Sequence, residues 1–195
     1  MIKIGILGDI GAGKSYVAKG FGYPVFNADS EVATLYKKDR IVFGKLKKAL
    51  PKFISSFPIN KNEISEAILA NETNLKKIVK IVHLKVKKKM NIFLNKNKNK
   101  KFVILDIPLL LENKINEKDD ILVFVQSKKS QILKRLKKRK NFNLKLISRF
   151  KNIQLPLDFK KKKSKFIIKN NFTDKSVKIS IKKILMEISK WKKLY

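Results

Sequence analysis

Apolar residues fall along this chain in two rhythms, and each change of rhythm marks an element. Short continuous runs at Ile2–Leu7, Phe102–Asp106 and Ile121–Val125 read as buried strands, because a parallel strand covered on both faces needs apolar side chains on both. Tyr23–Phe26 predicts a further strand and Phe166–Ile168 the last one. Between them the spacing changes to 3.6. Leu75, Ile78, Val79, Val82, Val86, Met90 and Phe93 fall on one narrow stripe of a helix. Shorter helices are predicted from Lys14 to about Phe21, over Ser30–Lys37, over Ile41–Leu50 and over Ser130–Lys140, the last with Gln131, Arg135 and Arg139 on one polar face. Leu144, Ile147, Phe150 and Ile153 mark an amphipathic piece, and Val177, Ile181, Ile184, Leu185 and Ile188 a closing helix. The polar stretch Asn95–Lys101 and the region around Pro156 and Lys160–Lys163 read as loops. Strands alternating with helices predict an α/β domain built on a parallel sheet.

Composition narrows the class. With 195 residues, 44% of them hydrophobic, the chain can bury a core as one domain. No apolar run approaches the ~20 residues of a membrane span. The sequence opens directly on a strand-like segment, without the pattern of a secretory signal. It has no cysteine, which excludes disulfides and thiolate metal sites. These features predict a cytoplasmic protein without a membrane partner; they do not set the oligomeric state, for which a monomer or a weak homo-oligomer is the expectation. The net charge of +33 points toward polyanions. Only four of the 48 basic residues are arginines, however: Arg40, Arg135, Arg139 and Arg149. Base readout favours the arginine fork, and no RNA-type aromatic motif is present. The lysines are scattered over every segment. No specific nucleic acid is therefore expected, and a small polyanionic substrate fits the same field.

The chemistry is carried by Gly8-Asp-Ile-Gly-Ala-Gly13-Lys14-Ser15, which fits G-x-x-x-x-G-K-[ST] after a strand and at the opening of a helix. Glycines let backbone N–H groups turn inward around a phosphate without Cβ clashes. The helix N-terminus adds a partial positive charge aimed at the anion. Lys14 is placed to reach the β- and γ-phosphates of ATP, and the Ser15 hydroxyl to ligate Mg²⁺. Asp106 ends an apolar strand, where such enzymes keep a metal-side carboxylate; a capping or loop aspartate is the plainer alternative.

Four further segments extend the pattern. Gly22-Tyr-Pro-Val-Phe-Asn-Ala-Asp29 resembles G-x-x-V-[IF]-[DN]-A-D, and Val103–Glu112 resembles a V…[LD]-x-P-L-L-[FL]-E stretch. Gln131, Arg135 and Arg139 with Arg149 and Gln154 resemble a Q…R…R…R-x4-Q stretch, and Ile167–Asn170 a late V-I-x-N. Together with the opening motif, they make the chain resemble the dephospho-CoA kinase family almost end to end. The resemblance implies a P-loop NTPase fold like that of nucleoside monophosphate kinases, with a five-stranded parallel sheet flanked by helices. It implies a single domain: a core of 1–35, 101–139 and 164–195, a helical substrate region at about 36–100, and a lid at about 140–163. The reaction implied is transfer of the γ-phosphoryl of ATP to the ribose 3′-hydroxyl of dephospho-CoA, the last step of coenzyme A synthesis.

The resemblance also implies roles. Asp29 would orient or deprotonate the hydroxyl, the alternative being an N-cap for a helix starting at Ser30. Gly8, Gly11, Ala12, Gly13, Lys14, Ser15, Tyr16, Arg135, Arg139 and Asn170 would hold ATP. Arg139 would also stabilise the transferring charge, unless it and Arg135 are a solvated helix face. His83, Pro108, Leu109, Leu110 and Glu112 would join Asp29 on the acceptor, with packing the alternative for His83. Departures are visible. Asp9 replaces a common glycine beside the cradle, Tyr16 a common threonine, Leu84 a common proline, and Ser164-Lys165 a common Ala-Asp. A kinase for a nucleoside or nucleotide, and a P-loop NTPase dependent on nucleic acid, are the other two readings of the motif.

Overall fold

The computed structural model describes residues 1–139 and 142–191. Strand β1 (Ile2–Gly8) leads through the glycine-rich turn into helix α1 (Lys14–Gly20), followed by β2 (Val25–Asn27) and helices α2 (Ala28–Lys38), α3 (Arg40–Ala49), α4 (Lys61–Ala70) and α5 (Glu72–Lys96). Strands β3 (Phe102–Asp106) and β4 (Ile121–Gln126) come next, then α6 (Lys129–Lys137), α7 (Leu144–Asn152), α8 (Leu157–Lys163), β5 (Phe166–Lys169) and α9 (Asp174–Trp191). The five strands form one parallel sheet in the order β2-β3-β1-β4-β5.

The chain gathers into two compact units. A sheet unit contains Met1–Phe26, Asn97–Phe142 and the chain from Leu155 onward; a helical unit contains Asn27–Lys96 and Asn143–Gln154. Of the stretch expected to form a lid, Asn143–Gln154 goes with the helices and the part from Leu155 with the sheet.

In the sheet unit β1 lies at the centre, paired with β3 through Gly5 and Leu105 and with β4 through Gly8 and Val125. Ile4, Ile6, Val103, Ile104 and Val123 are fully buried, as a strand covered on both faces requires. Gly5 admits Leu110 against β1: a Cβ there would collide with the Leu110 and Leu122 side chains. In the helical unit the predicted stripe packs inward, with Leu75, Ile78, Val82, Val86 and Met90 buried and Val79 and Phe93 half-buried at its margins.

Three expectations are corrected. Lys160–Lys163 is not a loop but the end of α8, and Lys160 is 1% exposed; its ammonium is matched by Glu112 at 2.6 Å, which permits its burial. The helix expected to reach Lys140 ends at Lys137. Arg139 lies beyond it in a bend, its N–H donated to the Leu136 carbonyl at 3.0 Å, so it does not share a helix face with Gln131 and Arg135. Helix α4 was not foreseen at all: too short for a strong period, it is held by burial of Ile64, Ala67 and Ile68 and by the Asn74 amide, which donates to the Ala67 carbonyl at 2.9 Å.

Candidate active site

The phosphate loop begins where β1 ends, at the carboxyl edge of the sheet, the edge on which α/β folds hold ligands. Gly8, Gly11 and Gly13 all have positive φ. Gly13 shows why. It is the left-handed N-cap of α1, with φ 91°, and a Cβ there would collide with the Asn170 side chain. The Lys14 ammonium donates to the carbonyls of Gly8 at 3.1 Å and Asp9 at 2.9 Å, which holds it across the loop. Ser15 is exposed in the first turn of α1. Asp9, the unusual residue here, uses its carboxylate to accept the Ile10 N–H at 2.7 Å.

The loop is braced from behind. The Ala12 carbonyl accepts the Asn170 side-chain amide at 2.9 Å and the Ser127 hydroxyl at 3.0 Å. Asn170 is 2% exposed. It accepts the Phe172 N–H on its own carbonyl at 2.8 Å and donates its backbone N–H to Gln126 at 2.8 Å. On the outer side, Leu136 and Ile132 of α6 pack on the tip at Gly11. Arg135 of that helix lays its guanidinium 4.3 Å from the centre of the Phe172 ring, a cation–π distance. The Tyr16 hydroxyl donates to the Asp174 carboxylate; that bond, helped by partial burial and the negative charge, raises the Tyr16 pKa above its ordinary value.

Asp106 closes β3 and is 3% exposed. One residue before it, Leu105 pairs with Gly5. Among the described residues no three His, Cys, Asp or Glu side chains gather into a metal cage. The Ser15 hydroxyl and the Asp106 carboxylate are hard oxygen donors, the kind that hold Mg²⁺ when phosphate oxygens and water complete its shell. The donor set therefore suits a metal carried on a nucleotide.

Pro108–Glu112 forms the turn after β3, with the Asn113 N–H donated to Leu109 at 3.1 Å. Leu110 is fully buried. Glu112 is committed: one oxygen accepts the Leu155 N–H at 3.0 Å and the Lys160 ammonium at 2.6 Å.

Two expected site residues belong to the helical unit. Asp29 is exposed in the first turn of α2. It is not the cap: the helix starts at Ala28, and Asn27 caps it by accepting the Ser30 N–H at 2.8 Å. His83 is half-buried on α5. In the same unit, Arg149 of α7 donates to Glu72 at 3.0 Å.

The structure thus brings Gly8, Gly11, Ala12, Gly13, Lys14, Ser15, Tyr16, Asp106, Arg135 and Asn170 into the sheet unit, with the Pro108–Glu112 turn and Arg139, and leaves Asp29 and His83 on the helices. Ser127, Phe172 and Lys160 escaped the sequence reading. Of the three, only Phe172 carried a signal, two residues past the late Asn170.

The family model for dephospho-CoA kinase matches residues 2–175. The chain belongs to the dephospho-CoA kinase family. It is 34% identical over 187 residues to the dephospho-CoA kinase of Wolbachia pipientis wMel, covering 93% of this chain and 95% of that one. Among solved structures, one from Thermus thermophilus superposes with a TM-score of 0.76 at 24% identity, over 95% of this chain and 97% of the other. The dephospho-CoA kinase of Campylobacter jejuni gives 0.60 at 21% identity, over 95% and 96%. Membership makes the chain an ATP-dependent kinase with a small-molecule acceptor, and the P-loop fold agrees. No described helix is long and apolar enough to cross a membrane.

Proposed function

We propose that this chain phosphorylates the ribose 3′-hydroxyl of dephospho-CoA, giving coenzyme A and ADP as the last step of coenzyme A synthesis. The observation that carries the reading is the family match over residues 2–175, joined to an intact and braced phosphate loop. The loop N–H groups and the head of α1 bind the polyphosphate, and Lys14 neutralises its β- and γ-oxygens. Ser15 and Asp106 are the residues for Mg²⁺, which when bound spreads the charge of the transferring group. Arg139 stabilises that charge from outside the helix.

Asp29 accepts the proton of the acceptor hydroxyl as its oxygen attacks the γ-phosphorus, and the bond from that phosphorus to the bridging oxygen of ADP breaks. Asn27, not Asp29, is the side chain that caps α2. Arg135, seated on Phe172, adds cationic surface to the nucleotide side. His83 contacts the acceptor, and the stretch at about 140–163 is the lid. The enzyme works in the cytoplasm as a monomer or weak homo-oligomer, and its surplus lysines are solvated surface rather than a specific nucleic-acid site.

A panel of acceptors in a coupled ADP-release assay tests the reading: dephospho-CoA should drive release, while nucleosides and DNA should not. Stimulation by a nucleoside alone would move the assignment to another P-loop kinase.

A further inference from the structure

Burying a lysine costs several kcal/mol unless its charge is matched. Lys160 opens a run of four lysines, yet its side chain is 1% exposed while Lys162 and Lys163 face solvent. Its partner Glu112, 9% exposed, also accepts the Leu155 N–H, and both bonds converge on one carboxylate oxygen, at 2.6 and 3.0 Å. The other oxygen is buried and makes no hydrogen bond among the described residues.

A carboxylate held this way is a poor contact for an arriving ligand and a good anchor for a chain. Glu112 is itself fixed, two residues after Leu110, which is fully buried against Gly5 of β1. The same strand ends in the phosphate loop. Leu155 is where the chain returns to the sheet unit after the excursion 143–154, which it left just past Arg139.

We propose that Lys160 is a positioning residue for phosphoryl transfer: with Glu112 it forms a buried clasp that fixes Leu155 to the turn after β3, which packs through Leu110 on the strand leading into the phosphate loop, so that the chain returns from 143–154 to one place. The inference rests on the kinase reading above, and it moves Glu112 from acceptor contact to clasp. Misplacement of reacting groups by about 1 Å costs up to ~10²-fold in rate; a loosened return should cost ~10- to 10²-fold.

Lys160→Met, Glu112→Gln and the double variant would be assayed with ATP and dephospho-CoA well below each melting temperature, with amide exchange at Leu155 followed in parallel. Each single variant should lower kcat ~10-fold or more with KM for ATP within about twofold, the double should be no worse than the poorer single, and Leu155 exchange should accelerate alike in all three. Unchanged kcat per folded molecule, with only the melting temperature lowered, would overturn the clasp as a positioning device. So would a raised KM for dephospho-CoA in Glu112→Gln with Lys160→Met silent, since Glu112 would then touch the acceptor. If a lone buried charge prevents folding, the pair Glu112→Leu and Lys160→Met removes both charges of the clasp together; parental kcat in that variant would equally overturn the proposal. A parent inactive on dephospho-CoA would refute the kinase reading instead, and Leu155 exchange would still decide the clasp.

Discussion

The side-chain amide of Asn170, just past the last strand, donates to the carbonyl of Ala12 in the phosphate loop at 2.9 Å. The far edge of the sheet thereby braces the back of the cradle. Asn170→Ala removes that donor, leaves the Ser127 hydroxyl still donating to Ala12, and strips the Phe172 N–H of its acceptor. Unmet buried polar groups cost about 1–3 kcal/mol. We expect KM for ATP to rise ~10-fold and the melting temperature to fall, with KM for the acceptor unchanged; steady-state kinetics in both substrates separate these.

Asp9 puts a carboxylate beside the polyphosphate while accepting the Ile10 N–H at 2.7 Å. Asp9→Asn keeps an acceptor for that N–H and removes the charge. Relief of one like-charge repulsion over about 4 Å in water is about 1 kcal/mol, so KM for ATP should fall about fivefold. The gain should shrink as salt is raised, which a titration in potassium chloride would show.

The helical unit should be acid-labile. Asp39 caps α3 and pairs with Lys85 at 3.0 Å. Burial pushes its pKa up, but the Val42 N–H and the Lys85 ammonium more than offset this and hold it below the ordinary 3.8. Glu63 behaves likewise: burial raises its pKa, and the Ser55 and Ser56 donors lower it further, to below 4.5. A carboxylate whose folded pKa is depressed contributes stability that is present above its unfolded pKa and lost as pH falls through the folded value. Amide protection in α3 and α4, taken relative to the intrinsic exchange rate at each pH, should therefore fall as pH drops below about 4. Asp39→Asn still caps, so it isolates the Lys85 pair, and at pH 7 it should cost no more than about 1 kcal/mol.

For Asp29 the structure sharpens the test. Asn27, not Asp29, caps α2, so Asp29→Asn leaves the helix cap in place. General-base contributions are typically ~10²–10⁴-fold, and kcat should fall by that much with ATP affinity intact. Near-parental turnover would remove Asp29 from the chemistry.

How much of this was legible in the sequence depended on how local each signal is. The cradle was readable because Gly8 through Ser15 specify it within eight positions, and β1, β3 and β4 because both their faces are apolar. The choice of cap was not readable: Asn27 and Asp29 are equally able types two residues apart, and the backbone of Ala28 decides between them. Lys160 was read as solvated because nothing nearby announces its partner. Glu112 reaches it only once the turn after β3 and helix α8 have folded onto the same sheet. Helix α4 was missed for a related reason, since burial against neighbours, not its own period, makes it stable. Arg139 was placed on a helix by its spacing, but the helix stops two residues earlier.

The most direct test of the account is the product itself. Purified protein, ATP, Mg²⁺ and dephospho-CoA would be incubated and followed by ³¹P NMR. We predict a new phosphomonoester on the ribose 3′ position, formed one for one with ADP. Release of ADP with only inorganic phosphate, or a phosphate appearing elsewhere on the acceptor, would contradict it.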